Sequence, residues 1–96
     1  MGILEAIREK REEILRLAAK HGASEVRVFG SVVRGEADSD SDVDFLVTFE
    51  QGRSLIDHVA LVQDLEDLLG TRVDVVTESA IHWYVKRRIM QEAVPL

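Results

Sequence analysis

Apolar residues recur through the first twenty positions at helical spacing. Leu4, Ile7, Ile14, Leu15 and Ala18 fall on one side of a repeat of about 3.6 residues. The pattern predicts a helix over 3–20, with Arg8, Glu12 and Arg16 four apart on its outer side, able to pair. Gly22 is a natural stop just past it. Glu25-Val26-Arg27-Val28-Phe29 alternates as a short strand does. From Gly30 to Ser41 the chain is polar and punctuated by glycine. Val43-Asp44-Phe45-Leu46-Val47 then reads as a second strand, rich in β-branched and aromatic side chains. Ser54 can cap a helix, with Asp57 placed to return the bond. Leu55, Val59, Val62, Leu65 and Leu69 form its apolar stripe, and Gly70 ends it. Arg72-Val73-Asp74-Val75-Val76 is a third strand. Thr77 or Ser79 can cap a last helix running to about Met90, with Ile81, Val85 and Ile89 in register. The order helix, strand, loop, strand, helix, strand, helix predicts a two-layer α/β or α+β domain. The sequence shows neither repeat nor linker, so residues 1–96 are read as one domain.

Composition narrows the classes. Twelve Lys and Arg stand against 18 Asp and Glu, a net charge of -6. That balance argues against a nucleic-acid-binding module, which usually carries a basic face. The chain has no Cys, hence no disulfide, thiolate metal site or Cys nucleophile. No apolar run is long enough to span a bilayer, and the N-terminus turns charged too early for a signal peptide. A cytoplasmic location is the expectation. Ninety-six residues leave no room for a second lobe over a substrate. An active site here is therefore shallow or completed by a partner. The last helix and tail hold Trp83, Tyr84, Met90, Val94 and Leu96, more apolar surface than three strands need, and some of it is expected to form an interface.

The candidate chemistry lies between Gly30-Ser31 and Asp42-Val43-Asp44. Asp42 and Asp44 are two apart on a strand, so both side chains leave the same face, with Cα atoms about 6.5 Å apart. Carboxyls at that spacing can converge on a hard cation or flank two. A solvated strand start beside an acidic loop has the same pattern. Gly30-Ser31 directly follows a strand, and Val32-Val33-Arg34 can make one helical turn, with Ser31 as its N-cap. Exposed N–H groups there suit a phosphate, and so does a reach by Arg34. A tight strand-to-helix turn with a solvated Arg34 explains the residues equally. Asp74 sits mid-strand between valines. If its strand neighbours 43–47, it can join Asp42 and Asp44, where a base could activate a hydroxyl.

Other motifs fail on spacing. An EF-hand loop from Asp38 needs Gly and Glu where Val43 and Phe49 stand. There is no Gly-x4-Gly-Lys-Ser/Thr loop and no Gly-x-Ser-x-Gly elbow. His21, His58 and His82 are too scattered for zinc and read as surface or half-buried side chains.

Together, Gly30-Ser31-Val32-Val33-Arg34-Gly35 and Ser41-Asp42-Val43-Asp44 resemble the Gly-Ser-x10-Asp-x-Asp signature of the DNA polymerase beta nucleotidyltransferase superfamily. The chain's length and its Arg34-Gly35 and Ser41-Asp42 pairs are similar to the minimal nucleotidyltransferases of prokaryotes. The resemblance runs from the first helix to the closing Glu92-Ala93-Val94-Pro95-Leu96. It implies an α+β fold, a mixed sheet of at least three strands with helices on one side. It implies Mg²⁺ (or Mn²⁺) on Asp42, Asp44 and Asp74. Gly30, Ser31 and Arg34 would hold the triphosphate of ATP or another NTP. The reaction would move a nucleoside monophosphate to a hydroxyl acceptor. The resemblance further implies a small helical HEPN-domain partner, in a toxin–antitoxin pair with this chain as antitoxin. An alternative is a non-catalytic antitoxin that neutralises its partner by binding.

Overall fold

The computed structural model describes residues 2–38 and 40–96; Met1 and Ser39, the latter within the polar loop, lie outside it. The long first helix is two: α1 over Ile3–Glu9 and α2 over Arg11–Lys20, broken at Lys10. The break lets α1 lie on the short turn after the first strand, while α2 packs on that strand and on the long helix. Lys10 Nζ donates to the Leu68 carbonyl at 3.3 Å, tying the junction to the end of that helix. The break also spoils the Arg8–Glu12 spacing, and among the described residues no ion pair joins Arg8, Glu12 and Arg16.

The strands are β1 (Ala23–Phe29), β2 (Val43–Phe49), β3 (Val73–Thr77) and a short β4 (Val94–Pro95). Their order is β3-β2-β1-β4; β1 runs antiparallel to β2 and β4, and β2 runs parallel to β3. The sheet is thus mixed, in an α+β fold. Two residues including a proline carry no alternation, which is why β4 has no signal in the sequence.

One face of the sheet carries the core. Register sets Val28 beside Phe45 and Phe45 beside Val75, with Val43 beside Val73. All five are buried, together with Ile7, Ile14 and Ala18 from α1 and α2 and with Leu61 and Leu65 from α4 (Leu55–Leu69). Ser54 caps α4 as expected. Its Oγ accepts from the Ile56 N–H, and the Asp57 carboxylate accepts from the Ser54 N–H. The buried line of α4 differs from the expected stripe. It runs through the half-buried His58 and then Leu61 and Leu65, while Leu55 and Val59 are exposed. The His58 ring, 2.7 Å from the Val75 carbonyl and near the Phe49 ring, seats the helix with that rotation.

The last helix, α5, spans Trp83–Glu92 and is capped by His82, whose Nδ1 accepts from the Tyr84 N–H. Thr77 and Ser79 do not cap it. Their hydroxyls lie 3.3 Å apart, and a separate helical turn covers Glu78–Ala80. Arg27 Nη1 approaches Met90 Sδ at 3.9 Å. Arg27 faces the buried Leu46 across the ladder, so α5 reaches the face opposite the main core. Val94 and Leu96 pack against the core cluster, whereas Trp83 and Tyr84 are 76% exposed.

Phe45 is fully buried at the centre of the three longer strands. Phe45→Ala is expected to cost 3–5 kcal/mol, roughly half the stability of a small domain. Ser54→Ala should cost only about 1 kcal/mol. Urea unfolding of both variants against wild type measures the difference.

Candidate active site

The site starts from the pleat. Val43, Phe45 and Val47 are committed to the core, so Asp44 is turned to the other face of β2. Parallel pairing sets Asp44 directly beside Asp74, on strands about 4.8 Å apart. Antiparallel pairing sets Phe29 on Asp44's other side. Gly30 follows Phe29, so the strand-to-helix turn rises next to the carboxylates. Asp42, just before β2, is exposed. Its Oδ1 lies 3.1 Å from Arg72 Nε, and Arg72 Nη2 also donates to the Asp40 carbonyl.

Asp44 titrates far from an ordinary carboxylate. Burial first, then the negative charges of Asp74 and Asp42, lift it from 3.8 to about 6; Arg34 partly offsets them. Among the described residues no three His, Asp or Glu side chains are drawn close enough to grip a metal as they stand. The donor set nonetheless suits a hard cation: every candidate ligand is a carboxylate oxygen, and the crowding that raises Asp44 is what a cation relieves. The Asp42–Arg72 pair is no obstacle. Its side chains are 48% and 75% exposed, so releasing it costs under about 1 kcal/mol.

Gly30 has φ 81° and ψ -153°, a backbone open to glycine and costly for other residues. A Cβ there would run into Asp44 Oδ2. The close approach expected at this glycine is therefore first of all to the Asp44 carboxylate. Gly30, rather than Ser31, caps the four-residue helix α3 (Ser31–Arg34): its carbonyl accepts from the N–H groups of Val33 and Arg34. Ser31 is the first helical residue of α3 and not its cap.

A family model described as a nucleotidyltransferase domain matches residues 7–96. The chain belongs to the nucleotidyltransferase domain family. A Methanocaldococcus jannaschii relative named as a protein adenylyltransferase is 44% identical over 88 residues, covering 92% of this chain and 95% of its own. The protein adenylyltransferase MntA of Thermococcus cleftensis is 46% identical over 78 residues, 81% of this chain and 79% of its own. A solved minimal nucleotidyltransferase, 52% identical, superposes with a TM-score of 0.87 over all of this chain and 97% of that one. A toxin–antitoxin structure determined with AMP-PNP gives a TM-score of 0.74 at 21% identity, over 88% of this chain and 69% of that one; at that identity the likeness concerns the fold alone. This nucleotidyltransferase is thus an enzyme by family.

Around the nucleotidyltransferase turn stand residues that the sequence did not single out. Glu92, the last residue of α5, receives the Gly30 N–H on Oε2 at 3.0 Å and Arg34 Nη1 on Oε1 at 2.6 Å. Arg34 Nε bonds Glu36 at 2.9 Å, and these two carboxylates, Glu36 foremost, raise the guanidinium's already high pKa. Burial would lift Glu92, but its bonds from Arg34 and Gly30 overcome that and hold it below the usual carboxylate range. The one signal for Glu92 was an acid set in an otherwise apolar tail.

The Asp44 shift sets a pH dependence for the metal-free protein. Its carboxyl binds a proton more tightly folded than unfolded. Its favourable contribution is therefore complete below about pH 4 and is lost as pH rises through 6. Asp44→Asn removes that loss, so in EDTA at pH 7.5 the variant should be more stable than wild type by about 1–2 kcal/mol, allowing for solvent screening. The gap should close by pH 4. Thermal unfolding of both proteins across that range reads it.

Proposed function

We propose that this nucleotidyltransferase moves AMP from ATP to a hydroxyl on a partner protein, and that Asp42, Asp44 and Asp74 carry the chemistry. The observation that supports it most is the in-register Asp44–Asp74 pair beside the Gly30 turn, in a chain of this family. Asp42 and Asp44 would hold Mg²⁺ (Mn²⁺ is the natural substitute), with Asp74 as the third carboxylate. That ion would neutralise phosphate charge and make the attacking hydroxyl more acidic.

The chain's own groups do the rest. Gly30, Ser31 and Arg34 bind the triphosphate through a backbone N–H, a hydroxyl and a guanidinium. Asp74, exposed beside Asp44, takes the proton of the acceptor hydroxyl. The hydroxyl oxygen bonds to the α-phosphorus, the bond to the β-phosphate bridge breaks, and pyrophosphate leaves with its electron pair.

The shallow site calls for a second protein. Relatives named protein adenylyltransferase and neighbours crystallised as toxin–antitoxin complexes support a toxin as that partner, and the small helical HEPN class is our reading of it. The exposed Trp83 and Tyr84 at the start of α5 offer it an apolar contact. No helix among the described residues is long and apolar enough to cross a membrane. We keep the cytoplasm as the proposed location and ascribe no nucleic-acid binding to this acidic chain.

Incubation with Mg-ATP and a small helical HEPN-domain toxin that binds this chain should add one adenylyl group to the toxin's intact mass. Asp74→Asn should cut the transfer rate by roughly 10²–10⁴ while keeping much of the nucleotide affinity. An unchanged toxin mass, with the toxin still neutralised by wild type and by all three Asp→Asn variants, would establish the binding-only antitoxin instead.

A further inference from the structure

Glu92 occupies the groups that the reading above gives to phosphate. One of its oxygens takes the Gly30 N–H at 3.0 Å and the other takes Arg34 at 2.6 Å. A phosphate with two free oxygens would present the same pair of acceptors. Gly30 has a single N–H, so it cannot serve Glu92 and a nucleotide at full strength together. Arg34 keeps further donors beyond the Nη1 bond to Glu92 and the Nε bond to Glu36, so there a phosphate would compete with Glu92 for the charge and reach of the guanidinium.

Glu92 is well seated at the end of a lightly packed helix. Its side chain is only 14% exposed. However, no residue of α5 is buried; the chain beyond it is held by the two-residue β4, by the Leu96 N–H on the Val26 carbonyl and by Val94 and Leu96 against the core. The carboxylate also sits at the negative end of its helix, with no basic residue in the last turn. It adds to the negative charge felt by Asp44. Arg34 and Gly30 offset these costs, and a triphosphate would compete for both.

We propose that Glu92 is an internal anion seated in the phosphate subsite, and that a nucleotide binds by displacing it. This inference rests on the assignment of Gly30 and Arg34 to the triphosphate. Nucleotide binding is thereby coupled to the C-terminal segment: the carboxylate that leaves Gly30 is the end of the helix whose first turn bears Trp83 and Tyr84. In the free protein the same contact stabilises the Gly30 turn, so affinity and stability are traded against each other.

Calorimetric titration of Mg-ATP into wild type and Glu92→Gln tests it. The amide keeps the shape of the side chain and removes its charge. Expected is on the order of tenfold tighter binding by the variant, the scale of one charge-assisted bond no longer competing, together with a lower unfolding temperature. A folded Glu92→Gln that binds Mg-ATP as wild type does, or more weakly, overturns the proposal and makes Glu92 a structural brace, while the nucleotide reading stands. Failure of both folded proteins to bind Mg-ATP overturns that reading and the proposal with it. If Glu92→Gln does not fold, wild type labelled with ¹³C at its glutamate carboxyls decides. The Glu92 resonance should move to the position of a solvated carboxylate as Mg-ATP saturates the protein, and an unmoved resonance refutes displacement.

Discussion

The burial of Phe45 holds two carboxylates side by side on neighbouring strands, and the partial burial and mutual repulsion that follow set the character of the site. Asp44 and Asp74 share a register position because β2 and β3 run parallel, and β2 cannot slip by one residue without turning Phe45 out of the core. The burial of Phe45 thus fixes where Asp44 points. The protein accepts a carboxyl whose proton is lost only near pH 6 in return for a site at which a cation is the natural remedy.

The surroundings follow from that crowding. Nothing larger than glycine fits at position 30 without striking Asp44, so the turn after β1 is tied to the carboxylates as closely as it would be to a phosphate. Arg34 supplies the nearest positive charge on this turn. Glu36 and Glu92 neutralise it when nothing else does. A structure tuned only for stability would not gather these acids on one face; the strain is of the kind found at functional sites.

The period-two pattern around Asp44 and the helical stripes placed β1, β2, β3 and α4 to within about two residues, because each buries one regular face. The adjacency of Asp74 to Asp44 was conditional in the sequence on their strands being neighbours, which the parallel pairing of β2 and β3 supplies. Contacts between distant positions were beyond periodicity: the Lys10 break answers to Leu68, the rotation of α4 to Val75, and Glu92 to Gly30, 62 residues away. The cap of α5 fell to His82 because a ring nitrogen there reaches the Tyr84 N–H, a geometry that side-chain preference alone ranks below Ser79 or Thr77.

Direct titration of the Asp44 carboxyl by carbon NMR, with and without Mg²⁺, goes to the centre of this account. The account predicts a midpoint near 6 in EDTA, falling well below that as Mg²⁺ is added, with Asp74→Asn lowering the metal-free midpoint because one repelling charge is gone. A midpoint at the ordinary carboxylate value of 3.8, or one near 6 that saturating Mg²⁺ leaves in place, would contradict it.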